Sequence, residues 1–271
     1  MDTDEQTDPA PTAPSSAVPS STVPSSTGPG STESGSNEPS SPADRARSSG
    51  RALAGHIDHT LLAPTATASE VAALCHEAVR LEVAAACVSP RWVSVAADVL
   101  TGPETPVVCT VVGFPSGAHT SSAKWSEATL AVAQGATEID MVVALGDVLV
   151  ADWDAVRDDV AAVRAAVTDG RTLKVIVESA ALTDDALRQA CLAAVDGGAD
   201  YVKTSTGFHP AGGATIHAVE LMRTAVGDDI GVKASGGIRD LATARAMLAA
   251  GASRLGMSAS AAVIAEADAV G

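Results

Sequence analysis

After a long stretch with no periodic pattern, apolar residues settle into two alternating rhythms along this chain. Short, mostly apolar runs recur from about Gly50 onward: His56–Thr60, Val83–Val88, Val107–Val112, Glu138–Val143, Leu173–Glu178, Tyr201–Thr204, Ile230–Ala234 and Arg254–Met257. Each is bounded by Gly, Asp or Pro and reads as a strand. Between them the apolar spacing widens to three and four. Ala68–Leu81 carries Val71, Leu74, Ala78 and Leu81, and Trp153–Val167 carries Val156, Val160, Val163 and Val167. Both read as amphipathic helices, as do Asp184–Val195 and Leu241–Ala250, the last with Asp240 as N-cap and Gly251 as stop. The strands lack a clean apolar/polar alternation, which implies a parallel sheet covered on both faces. Eight β/α units in about 220 residues predict an α/β fold, a (β/α)8 TIM barrel, over an open doubly wound sheet. No GxGxxG or GxxxxGK[ST] motif follows the first strand, which weakens dinucleotide-binding and P-loop alternatives.

The stretch before Gly50 is of another kind. Residues 1–49 are almost entirely Ser, Pro, Thr, Gly, Ala and acid, with valine only at 18 and 23 and no aromatic residue. Such a segment cannot bury enough apolar area to offset its ordering entropy, so it is expected to be a disordered tail. It is either a solvated extension or a docking segment. The catalytic barrel is expected to span 50–271.

Charge narrows the function classes. The formal charge of the 271 residues is −16, which argues against a nucleic-acid binder and against attachment to anionic membranes. Cys75, Cys87, Cys109 and Cys191 are widely spaced and form no CxxC pair, so neither a zinc site nor a disulfide framework is expected. No run reaches the roughly 18 apolar residues of a membrane span. The N-terminus lacks the basic and apolar regions of a signal peptide. A cytoplasmic protein is expected. Its oligomeric state is not legible, and a homodimer or homotetramer is compatible with the composition.

Lysine usage carries the chemistry. The chain has four lysines, and Lys174, Lys203 and Lys233 sit inside strand-like apolar runs. Burial disfavours an ammonium, and a second ammonium nearby disfavours it further, leaving a neutral amine able to attack a carbonyl. In a barrel the C-terminal strand ends share one mouth, where the active site lies. Period-two alternation lets Asp140, Lys203 and Lys233 point into that mouth together. Two lysines on successive strands beside a buried acid favour Schiff-base chemistry over a structural ion pair. The loops Ser235–Gly236–Gly237 and Gly256–Met257–Ser258 follow the last two strands. Glycine lets backbone N–H groups approach an anion, and the helix start behind it adds a positive dipole end. Together with Gly207 and Arg239 they predict a phosphate pocket. Other residues attract blander readings. His56 and His59 bracket Asp58 without further metal ligands, and His76, His119, His209 and His217 read as surface or loop residues. Cys87 reads as a packed thiol, and Trp92, Trp125 and Trp153 as packing residues.

Several stretches together resemble a known family. IDHTLL (57–62), ACVSPRW (86–92), EIDMVV (138–143), LKVIVE (173–178), VKTSTGF (202–208) and VKASGGIR (232–239) are similar to the 2-deoxyribose-5-phosphate aldolases of the DeoC family. The resemblance runs from about Gly50 to Ala261. It implies a (β/α)8 class I aldolase that reversibly cleaves 2-deoxy-D-ribose 5-phosphate to acetaldehyde and D-glyceraldehyde 3-phosphate, in deoxyribonucleotide catabolism. It also implies Lys203 as the Schiff-base lysine, Lys233 as the neighbour that keeps it neutral, and Asp140 as proton donor and acceptor through a water. Asp58, Thr60, Thr204 and Lys174 match positions lining or supporting the substrate site. Gly207, Gly236, Gly237, Gly256 and Ser258 match the phosphate pocket. No metal or organic cofactor is implied, because the iminium is its own electron sink.

Two departures bear on rate. Many members carry a second serine after the position of Ser258, whereas here Ala259 follows, with Ser260 beyond. The phosphate then loses or relocates a hydrogen bond worth roughly 1 kcal/mol. Some members also use a tyrosine on a C-terminal tail, and the only tyrosine here is Tyr201, in a strand. Two other readings stay open at this point: a related Schiff-base aldolase with another donor, and a phosphometabolite-binding barrel without turnover.

Overall fold

The computed structural model describes residues 49–270, in which a first helix, α1, occupies 49–54. The disorder expected of the N-terminal tail falls on residues outside that range, apart from Ser49, which is helical. Eight strands follow: β1 Ile57–Leu61, β2 Ala85–Val88, β3 Val107–Val112, β4 Glu138–Val142, β5 Thr172–Ile176, β6 Tyr201–Lys203, β7 Gly231–Ser235 and β8 Arg254–Met257. All neighbours pair in parallel, and β8 returns to β1 to close the barrel. The (β/α)8 expectation is met.

Helices α2 Ala68–Leu81, α3 Val93–Val99, α4 Ser121–Ala133, α5 Leu145–Leu149, α6 Trp153–Arg164, α7 Asp184–Asp196, α8 Ile216–Val226, α9 Leu241–Ala249 and α10 Ser260–Val270 form the outer layer. Their starts are set locally. Thr67, Thr120, Asp152, Thr183, Thr215 and Asp240 each accept an N–H from the first turn, satisfying a donor that has no partner within the helix. The main core lies between strands and helices, where Ile139, Leu173, Val175, Val202, Val232 and Leu255 meet the apolar stripes of the helices.

Boundaries differ from the sequence reading where local chemistry intervenes. β5 stops at Ile176, short of the expected Glu178, because Glu178 takes a left-handed conformation with φ 54° and leaves the ladder. Its carboxylate accepts the N–H of Thr206 at 3.2 Å, tying the β5 end to the β6 loop. β6 ends at Lys203, before Thr204, and β7 extends to Ser235. Trp125 is 45% exposed, contrary to a packing role, whereas Trp92 and Trp153 do pack against the core.

Candidate active site

Inward-facing positions, every second residue along each strand, converge in the lumen. β1 supplies Asp58, β4 Glu138 and Asp140, β5 Lys174, β6 Lys203, β7 Lys233 and β8 Arg254. Register brings partners level: Asp140 stands opposite Lys174, and Lys203 opposite Lys233. Asp58, Asp140, Lys174 and Lys233 are fully buried, and Lys203 is 4% exposed.

Asp140 is the hub. Its Oδ2 accepts from Lys203 Nζ at 2.7 Å and from Lys233 Nζ at 2.7 Å, so the two nitrogens share one oxygen. Its Oδ1 accepts from Lys174 Nζ at 2.8 Å. Lys174 also donates to Glu138 Oε2 at 2.5 Å, and Lys233 donates to Asp58. Arg254 closes the ring with bonds to Asp58 Oδ1 at 2.6 Å and Glu138 Oε1 at 3.1 Å. Four cations thus face three carboxylates.

Burial alone would protonate the carboxylates, but the ammoniums of Lys233 and Lys174 outweigh it at Asp58, holding that carboxyl well below the usual range. At Asp140 the burial penalty is likewise outweighed, by Lys174, Lys203 and Lys233, and the carboxyl stays ionised. For Lys174, burial opposes the charge, yet Asp140, Asp58 and Glu138 raise its proton affinity well above the ordinary lysine range. Lys233 is raised too, by Asp140 and Asp58 against its burial. Lys174, Lys233 and Arg254 are therefore fixed cations. Lys203 has a single carboxylate partner, shared with Lys233, and is the lysine of the three that reaches the mouth.

Above Lys203 opens a cavity of about 440 Å³. Thr60, Lys203, Gly207, Gly236, Gly237, Gly256 and Ser258 all line it, together with Arg239. Gly236 has φ 86°, and a Cβ there would meet Gly213 Cα at 3.0 Å. A side chain on Gly256 would strike Lys233 Cε at 3.1 Å, so the missing Cβ leaves room for that lysine to cross the barrel. The lumen below the cavity is charged from β4 round to β1 and apolar across β2 and β3, where Ala85, Cys87, Cys109 and Val111 cluster with Leu62 and Phe114. Phe114 and Phe208 meet edge-to-face at the rim, centroids 5.1 Å apart.

This geometry has known counterparts. The family described as DeoC/LacD family aldolase matches residues 53–264. A protein of Nocardia farcinica named deoxyribose-phosphate aldolase is 54% identical over 222 residues, covering 82% of this chain and 97% of its own. One of Mycobacterium avium with the same name is 57% identical over 216 residues, covering 78% and 95%. This chain is a DeoC/LacD family aldolase. The solved tetrameric deoxyribose phosphate aldolase of Aeropyrum pernix superposes on it with a TM-score of 0.74 at 31% identity, covering 85% of this chain and 98% of that one.

Not every expected site residue of the aldolase reaches the cavity. Asp58 and Lys174 lie beneath its floor, within the charge network. Thr204 is fully buried, and its hydroxyl exchanges hydrogen bonds with the Ser235 backbone at 3.1 and 3.0 Å, splicing β6 to β7. Ser260 does not substitute for the serine lacking at 259, because its hydroxyl points out of the barrel to His59. Glu138 and Arg254 were not among the expected site residues. The signal for both was available, since each lies two positions before an inward residue, Asp140 and Gly256. Cys87, Cys109 and Asp140, and likewise Asp58, Cys109 and Glu138, present donor atoms within 4.8 Å of one another. The carboxylates in both sets are already held by ammonium and guanidinium groups. No helix among the described residues is long and apolar enough to cross a membrane.

Proposed function

We propose that this aldolase cleaves 2-deoxy-D-ribose 5-phosphate to acetaldehyde and D-glyceraldehyde 3-phosphate through a Schiff base on Lys203. The observation that carries the assignment is the shared oxygen: Lys203 and Lys233 both bond Asp140 Oδ2, and of these three groups Lys203 alone lines the cavity. The network holds one cation more than its carboxylates balance, and Lys203 is the amine of that network placed where a carbonyl compound can meet it.

The free amine attacks C1 of the open-chain sugar, and loss of water gives the iminium. The cation draws electrons from the C2–C3 bond as the C3 hydroxyl proton leaves, freeing glyceraldehyde 3-phosphate (C3–C5) and a two-carbon enamine on Lys203. Protonation and hydrolysis then release acetaldehyde. Asp140 orders the amine and serves the proton transfers through a water, help worth about 10²–10⁴ in rate. The phosphate would sit on the loops of Gly207, Gly236, Gly237 and Ser258, with Arg239 nearby, as their position at the cavity supports. The Asp58–Lys174–Glu138–Arg254 ring positions the reacting groups without touching substrate. The proposed reaction belongs to a reducing cytoplasm, and the four cysteines are free thiols. A homodimer or homotetramer is the proposed assembly, in line with the tetrameric Aeropyrum protein.

The test is chemical. Borohydride added in the presence of acetaldehyde should leave a covalent two-carbon adduct on Lys203, located by peptide mass spectrometry. An adduct on another lysine, or none, would overturn the assignment.

A further inference from the structure

β1 sends Asp58 and Thr60 inward, and His59 between them faces the helical layer, 3% exposed. Its Nδ1 lies 2.9 Å from Ser260 Oγ on α10, and its Nε2 lies 3.0 Å from Glu77 Oε2 on α2. A carboxylate only accepts, so Nε2 carries the hydrogen. Burial lowers the proton affinity of the ring against the opposing pull of Glu77. The neutral ring therefore accepts the Ser260 hydroxyl proton at Nδ1. Carboxylate, imidazole and hydroxyl in this order resemble a hydrolytic triad, but Ser260 is fully buried and lies outside the mouth cavity. No substrate can meet that oxygen, and the arrangement is a strut.

The strut ends at a critical place. His59 stands opposite Met257 in the β1–β8 register, where the barrel closes. Ser258 lines the cavity, and α10 begins two residues later at Ser260. The first amides of α10 have no helical partner and carry the positive end of its dipole. Their position relative to the cavity is set by the residue that the imidazole holds. Ala259 brings no hydroxyl to this turn, so its anion grip rests on Ser258 and on well-placed backbone.

Resting on the aldolase reading above, we infer that His59, backed by Glu77, is a positioning residue for the substrate phosphate: it seats Ser260 and so fixes the Ser258–Ala259 turn. It touches neither the sugar nor Lys203. Its removal therefore weakens recognition of the phosphate and spares the carbon–carbon cleavage.

The experiment compares Ser260→Ala, His59→Leu and the hydroxyl-retaining Ser260→Thr with the unmodified protein. Three quantities are measured: KM for 2-deoxyribose 5-phosphate, the inhibition constant of inorganic phosphate, and kcat/KM for unphosphorylated 2-deoxyribose. Ser260→Ala and His59→Leu should raise the first two about five- to tenfold, the size of one ordinary hydrogen bond. Turnover of 2-deoxyribose should stay within about twofold, and Ser260→Thr should keep the original phosphate constants. Unchanged phosphate constants in folded Ser260→Ala would overturn the inference, as would equal losses on both sugars. Ser260→Ala removes a single oxygen and decides the matter if His59→Leu does not fold. An unmodified protein indifferent to the phosphate group would instead overturn the phosphate assignment, and the strut's role with it.

Discussion

Two regions of this molecule bury lysine, and they do so in opposite ways. In the helical layer, Lys124 Nζ donates to Asp159 Oδ2 at 2.6 Å and to the Val142 carbonyl at 2.9 Å. Asp159 accepts a further bond from Ser121 Oγ at 2.8 Å. One cation meets one anion, every strong donor and acceptor has a partner, and Lys124 is sealed at 0% exposure. In the lumen, four cations crowd three carboxylates, and the least-partnered of them opens onto a cavity. Burial of a lysine therefore signals little by itself. What sets the lumen apart is an excess of cations beside an opening, which places an amine where a small molecule can reach it.

The comparison is broken most directly at Lys203. Lys203→Leu should abolish cleavage and adduct formation while leaving the circular dichroism spectrum unchanged, since the side chain has one carboxylate partner and a route to solvent. Cleavage retained in this variant would rule out the imine route. Asp140→Asn comes next. It keeps the shape of the hub and removes its charge, so kcat should fall about 10²–10⁴ with the imine still trappable. A loss of less than about tenfold would demote Asp140 to scaffolding.

Smaller effects come from pH, and their sign follows from the shifts. Asp58 and Asp140 are held low, so the stability they add is present above the ordinary Asp value of about 3.9 and is lost as pH falls through their folded values. Lys174 and Lys233 are held high, so their share is complete below the ordinary Lys value of about 10.4 and is lost only as pH rises through their folded values. The lumen's own share should accordingly be constant from about pH 5 to about pH 10, while the neutral buried His59 takes stability away as pH falls below about 6.5, and the buried thiols of Cys75 and Cys191, held high by burial, take it away as pH rises above about 8.5. Thermal midpoints of His59→Leu should lose the acid limb near about pH 6 and keep the steeper fall below about pH 4, and a missing fall below about pH 4 would mean that the lumen network does not govern stability.

Much of the lumen was legible because period-two alternation is rigid. Once Lys174, Lys203 and Lys233 are placed on strands, Asp140 must face them, and the register delivers Lys203 beside Lys233. What escaped was set by contacts that no local pattern encodes. Glu178 leaves its strand because a distant amide, that of Thr206, binds its carboxylate. α4 and α10 were not singled out, since both are alanine-rich and α4 buries a lysine where an apolar residue would be expected. Thr204 reads as a substrate ligand in a motif, yet it spends its hydroxyl on Ser235. Ser260 could have faced the phosphate as readily as His59, and only the path of α10 decides between them.

The mildest test sharpens the contrast from the other side. Lys124→Met alone strands the Asp159 carboxylate, which should cost about 3–5 kcal/mol of stability, read as a lower denaturant midpoint. The double variant Lys124→Met/Asp159→Leu replaces both charges with apolar groups and should return to within about 1 kcal/mol of the original, or exceed it. Neither change should prevent borohydride trapping on Lys203, because the pair lies outside the barrel wall. No such exchange is open to the lumen, where apolar replacements would remove the carboxylate that holds Lys203 at the cavity. If the double variant instead lost cleavage while remaining folded, the carbonyl of Val142, two residues beyond Asp140, would be transmitting the Lys124 bond into the site. The two lysine regions would then have to be treated as one device.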